Sequence, residues 1–229
     1  MTTPSTARPE TSNTKARVPT VAENAAAASA AVATAASASA HADDSSTGVQ
    51  PDDRVATERD LVRGVGGRRA LAVLRLATGF IFLWAFFDKT FGLGFSTPAE
   101  RAWINGGTPA QGFLNSDAVV GPLKPFFASI ASPASDILFM IGMLTIGLAV
   151  MIGIGLRVSA VVGTVLMLAM YLAEWPFGAN AASNNPLVDY HIIYALALIV
   201  IAALSAGDTW GAGRAWKRLG IVQKMPWLI

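Results

Sequence analysis

Several side chains able to exchange protons or hold an aromatic ligand stand at the ends of apolar runs. Asp88 and Lys89 follow the run Ala70–Phe87, and Asp136 precedes Ile137–Leu156. Glu174 closes Val158–Ala173, while Asp189 and His191 precede Ile192–Ala206. Trp84 lies four residues before Asp88, and Tyr190 four before Tyr194, so each pair shares one helical face. Ionisable groups at membrane depth are costly and turn towards a bundle interior or water. The pattern predicts an aromatic, partly polar pocket at a membrane–water boundary, suited to a quinone headgroup with Asp, Lys or His exchanging its protons. The candidate catalytic residues are Asp88, Lys89, Asp189 and His191; the candidate cofactor-binding residues are Trp84, Glu174, Tyr190 and Tyr194. Each has a plainer reading. Asp136 and Asp189 suit the positive end of a helix dipole. Asp88 and Lys89 make an interfacial pair or snorkel, as does Arg75 towards the inner headgroups. Glu174 marks a helix end, His191 makes a structural hydrogen bond, and the aromatics form interfacial belts.

The elements that must position these residues are membrane helices. Of the 229 residues 53% are hydrophobic and only 14% charged, against roughly 25% charged in soluble domains. The four apolar runs approach the roughly 20 residues needed to cross a bilayer. The expected fold is an all-α membrane protein, a four-transmembrane-helix bundle with spans at about 68–90, 134–156, 158–177 and 186–206. Gly79, Gly142, Gly147, Gly153 and Gly163 suit close helix contact, and Ser159–Gly163 is a small-xxx-small pair. Between the first two spans runs a long outer loop. In it Thr97-Pro98-Ala99-Glu100 and Thr108-Pro109-Ala110-Gln111 both match a capping box, predicting two short helices. Ser132-Pro133 and Asn185-Pro186 read as N-cap signals for the second and fourth spans.

Charge sets the orientation. Arg63, Arg68, Arg69 and Arg75 precede or open the first span, Arg157 lies in the turn between the second and third, and Arg214, Lys217, Arg218 and Lys224 follow the fourth. The opposite loops carry only Lys89, Arg101 and Lys124. The positive-inside rule places both termini in the cytoplasm of a multi-pass protein of the cell membrane. Three parts are expected: a disordered Ala/Ser/Thr-rich cytoplasmic tail over 1–60, a membrane domain over 61–222, and within and beyond its end a basic cytoplasmic segment over 207–229. The tail is net −3 and the remainder net +5. The basic groups thus flank apolar segments as topology signals, and no nucleic-acid partner is expected.

The chain has no cysteine and two histidines, one of them, His41, in the tail. That excludes disulfides, thiol nucleophiles and thiolate-held clusters within this chain. No metal or haem is expected.

The stretch Arg75–Lys89 (RLATGFIFLWAFFDK) with Phe91-Gly92-Leu93-Gly94, then Asn105–Leu114 (NGGTPAQGFL), then Asn185–Ala195 (NPLVDYHIIYA), resembles the DoxX/DoxD family of membrane proteins, in its actinobacterial type with a long outer loop. The resemblance spans about residues 66–222. It implies a four-helix bundle and a redox association, since the family includes the DoxD subunit of thiosulfate:quinone oxidoreductase. That enzyme works with a DoxA subunit, which nothing in this chain resembles.

Two functions follow as expectations. One is a redox subunit passing electrons from thiosulfate to the quinone pool, with Lys89 attracting the sulfur anion and Asp88, Asp189 or His191 handling quinone protons. The other is a non-enzymatic membrane scaffold recruiting redox or stress-defence enzymes. The expected partners are the lipid bilayer, a second subunit or soluble redox enzymes, and further copies of the chain. A transporter fits less well, because the middle of every span is uncharged and none is broken by proline.

Overall fold

The computed structural model describes residues 56–177 and 185–229. Most of the expected tail, 1–55, lies outside the described residues. Its last residues do not: Glu58–Leu61 form a short helix, α1, with Glu58 fully buried. Among the described residues there is no strand. The long helices are α2 (Val65–Phe91), α5 (Pro133–Ile152), α6 (Leu156–Glu174) and α7 (Tyr190–Ala203), with the short α3 (Pro109–Leu114) and α4 (Lys124–Ile130) between α2 and α5. Two further short helices, α8 (Gly213–Trp216) and α9 (Gly220–Lys224), precede a terminal turn at Pro226–Leu228.

The helices α2, α5 and α6 are long and apolar enough to cross a membrane. Their outward faces carry large apolar side chains, with Leu138 74%, Val161 66% and Val165 64% exposed. A soluble helix shows the reverse pattern, and lipid is the medium in which this one costs nothing. The fourth expected span is helical over only 14 residues, about 21 Å at 1.5 Å per residue. Its N-cap is not Asn185, whose Oδ1 instead accepts from the Leu187 amide at 2.9 Å in a local turn. Asp189 caps the helix, accepting from the amides of His191 and Ile192.

Helix α2 packs mainly on α5, and α6 on α7. The first pair approaches closely because glycines face backbone: a Cβ on Gly79 would lie 2.9 Å from the Met151 amide, and one on Gly147 2.9 Å from that of Leu83. In the second pair Gly163 lies against Leu198. The shared core includes Phe82, Met143, Ile146, Met167, Leu198 and Ile201. The turn between α5 and α6 is Gly153–Gly155, with both glycines left-handed at φ 84° and 55°. Arg157, expected in that turn, therefore lies in the first turn of α6.

The segment 92–132 folds over one end of the bundle, here the loop end. Thr97 does not cap a helix: only a 3-10 turn, Ala99–Arg101, forms there. Thr108 precedes Pro109 at the start of α3 but makes no side-chain cap. The cap comes from another helix. Asp136, buried in the first turn of α5, accepts from the amides of Ala110 (2.7 Å) and Gln111 (2.9 Å) and from the Gln111 side-chain amide. Ser132 does cap α5, in a reciprocal box with Ser135.

At the opposite end, Arg75 does not snorkel. It is fully buried. Its Nη1 donates to the carbonyls of Val150 (2.7 Å) and Met151, its Nε to Ala206 (3.1 Å), and its Nη2 to Trp210 (3.0 Å) and Thr209 (3.4 Å). These acceptors lie at the end of α5 and in the turn after α7, where orphan carbonyls carry the negative end of the dipole. Beside it, Asp208 accepts from the Glu58 amide at 2.9 Å and pairs with Lys217 at 2.9 Å. The Thr209 hydroxyl donates to Glu58 at 2.5 Å.

Candidate functional site

The junction of α6 and α7 gathers four of the expected residues. Asp189 uses Oδ1 to cap α7, which leaves Oδ2 2.7 Å from His191 Nδ1. His191 follows in the first turn of α7, fully buried. When Nδ1 carries the proton towards Asp189, Nε2 presents a lone pair. That Nε2 is buried and has no hydrogen-bond partner among the described residues. The Tyr190 ring lies 4.0 Å from the imidazole by centroid. Its hydroxyl is 3.4 and 3.5 Å from the two Glu174 oxygens, at the long limit of a donated bond. Tyr171 ties the approach to α7 onto α6 through a 2.7 Å bond to the Pro186 carbonyl. Tyr194, one turn on, packs against the main core.

This arrangement supports proton transfer at His191. A carboxylate on Nδ1 fixes the tautomer and stabilises the imidazolium when Nε2 takes a proton. The same residues are also able to hold a cation: Glu174, Asp189 and His191 offer ligand atoms within 4.8 Å of one another.

The other expected residues stand elsewhere. Asp88 is buried, and its carboxylate is engaged by the loop that follows α2. It accepts from the Phe95 amide (3.1 Å) and from the amide (3.0 Å) and hydroxyl (2.6 Å) of Ser96. That makes it an anchor of the 92–97 turn. Trp84 packs edge-on against Phe95 at 4.9 Å and is 37% exposed. With Asp88 it borders a shallow pocket that also includes Phe80 and Phe95. Lys89 borders two further pockets, an apolar groove between α5 and α6 and a polar pocket under the loop. None of these described pockets is lined by both Asp88 or Lys89 and the α6–α7 cluster.

Sequence reasoning missed the knot of Glu58, Arg75, Asp208 and Lys217. A usable signal was present: Arg75 interrupts an apolar run while Gly207, Gly211 and Gly213 crowd the turn after α7. A Cβ on Gly211 would lie 2.9 Å from the Ile152 carbonyl and 3.1 Å from Arg75 Nη2.

No family model, curated protein or solved structure matches the chain.

Proposed function

We propose that this protein is a membrane-embedded redox subunit that delivers electrons to the quinone pool, with the His191–Asp189 pair supplying a quinone proton. The observation that carries this reading is the fully buried His191 whose Nε2 has no partner among the described residues while its Nδ1 is held 2.7 Å from Asp189. A buried polar atom without a partner costs stability, so a ligand carbonyl or hydroxyl that engages it is favoured. In this reading α7, with its flanking residues, makes the fourth crossing. The arginine-rich ends face the cytoplasm.

The chemistry balances with an anionic sulfur donor. Two thiosulfate ions join through a new S–S bond to give tetrathionate and release two electrons. The quinone takes those electrons and two protons to become the quinol. One proton comes from His191 Nε2–H, with Asp189 stabilising the imidazolium beforehand; the other comes from water. The three-motif resemblance to the DoxX/DoxD family supports this donor, and a second subunit would complete the electron path.

The test is thiosulfate-dependent quinone reduction by membranes enriched in the full chain, compared with His191→Gln and Asp189→Asn. Loss of a positioned acid–base group lowers such rates by roughly 10²–10⁴-fold. Retention of the full rate in His191→Gln would sink the assignment. Loss of rate on chelation, restored by a divalent ion, would reassign the cluster as a metal centre. No rate above empty membranes, even with candidate partner subunits added, would favour the scaffold function.

A further inference from the structure

The groove bordered by Lys89 is independent of the α6–α7 cluster. It is about 520 Å³ and almost wholly apolar, within the range of small-ligand sites. Leu138, Ile141, Gly142 and Thr145 of α5 form one wall, Val162 and Val165 of α6 the other. Leu138, Ile141 and Val165 are 74%, 52% and 64% exposed, so the groove opens sideways to the surrounding medium. The polar pocket under the loop is about 440 Å³ and borders Arg101, Asn105 and the Gly106–Gly107 backbone. Lys89, Pro109 and Phe113 line both.

Lys89 is thus the hinge between an apolar channel and a polar chamber. It is half-buried and makes no hydrogen bond or ion pair with a described residue. Its neighbour Asp88 attracts it through space but accepts its hydrogen bonds from Phe95 and Ser96. In the polar chamber Lys89 and Arg101 outnumber Glu100, the one carboxylate there. A partly desolvated ammonium between an apolar groove and a cationic chamber is complementary to an amphiphile with one anionic phosphate.

We propose that this composite cleft binds one anionic phospholipid, an acyl chain lying between α5 and α6 and the phosphodiester on Lys89 with Arg101 behind it. The occupant is an amphiphile, because the apolar walls of the groove and the polar lining of the chamber meet at the Lys89 ammonium. It is anionic, because a zwitterionic headgroup would bring its own cation to Lys89.

Native mass spectrometry of the full chain tests this. The protein is released from detergent supplied with equal phosphatidylglycerol and phosphatidylcholine of identical acyl chains. Glycerol 1-phosphate serves as the chainless arm. The wild type is expected to retain phosphatidylglycerol preferentially. Lys89→Gln should reduce that preference about fivefold, the contribution of one lysine near an anionic lipid, and Lys89→Arg should keep it. Gly142→Phe should lower retention of both lipids, since a side chain there enters open groove space with nothing within 4 Å of its Cβ. Equal retention of the two lipids by the wild type would overturn the proposal. So would an unchanged preference in Lys89→Gln, unchanged retention in a folded Gly142→Phe, or glycerol 1-phosphate binding as well as the lipid. Lipid retention is read without turnover, so this test and the quinone assay can fail separately.

Discussion

Replacing Arg75 by methionine should destabilise the bundle more than any surface change. Methionine keeps an unbranched apolar stem but removes every donor to the carbonyls of Val150, Met151, Ala206, Thr209 and Trp210. A buried acceptor left without a partner costs about 1–3 kcal/mol. The 3.4 Å contact to Thr209 contributes little, and water entering from the bundle end will satisfy some of the others. Loss of the guanidinium also removes its electrostatic attraction for the fully buried Glu58. Against this stands relief from burying the guanidinium itself. The expected net loss is about 3–5 kcal/mol, the range for breaking a buried ionic network by removing one partner. For a chain of this size that lowers the melting temperature by roughly 10 °C. Thermal unfolding followed by circular dichroism in detergent measures it, with exposed Lys224→Met as the neutral control. Arg75→Lys should fall between, because an ammonium has three donors and no fork. A melting temperature for Arg75→Met within about 1 °C of wild type would refute the reasoning, since it would mean the five carbonyls are satisfied without the guanidinium.

Three further outcomes are expected. Asp136→Ala removes the cap that α5 lends to α3 and should cost about 1–2 kcal/mol, read as faster proteolysis within 106–116 while the α2–α5 pair stays folded. Asp88→Ala should loosen the 92–97 turn and cost about 3 kcal/mol through its lost charge-assisted bonds; if Asp88→Asn instead abolishes quinone reduction with the turn intact by hydrogen exchange, its role as an anchor is wrong. Asp60 is held below the ordinary carboxylate value of 3.8 by the Thr57 hydroxyl, then by the Thr57 amide. A depressed folded value means the cap contributes fully above about pH 4 and is lost as pH falls through the lowered value. Amide exchange of 57–62 should therefore accelerate below that pH, and Asp60→Asn should remove the dependence.

The helices were legible because their signals are local. Apolar runs and the Ser132-Pro133 signal act within a few residues, so α2, α5 and α6 follow from the chain itself. The second span, however, was expected to reach 156 and ends at Ile152, where left-handed Gly153 and Gly155 turn the chain. The places of Glu174 at one helix end and of Asp189, Tyr190 and His191 at the start of the next were also readable, but not that they gather apart from Asp88 and Lys89. Partner choice was not. Thr108 and Gln111 have the spacing of a capping box, yet Asp136, 25 residues further on, takes the Gln111 amide. Asp88 and Asp189 look alike as carboxylates at helix ends, but one is consumed by a loop and the other orients an imidazole. Arg75 resembled a snorkelling residue because nothing in its neighbourhood of the sequence announces carbonyls 75 and more positions away. The sequence by itself determined which segments are helical and which faces are apolar, because those depend on periodicity and short-range sterics. Only the tertiary structure decided where each buried charge finds its counterpart, because that depends on which helix ends meet, and a buried polar group takes whichever partner the packing brings within about 3 Å.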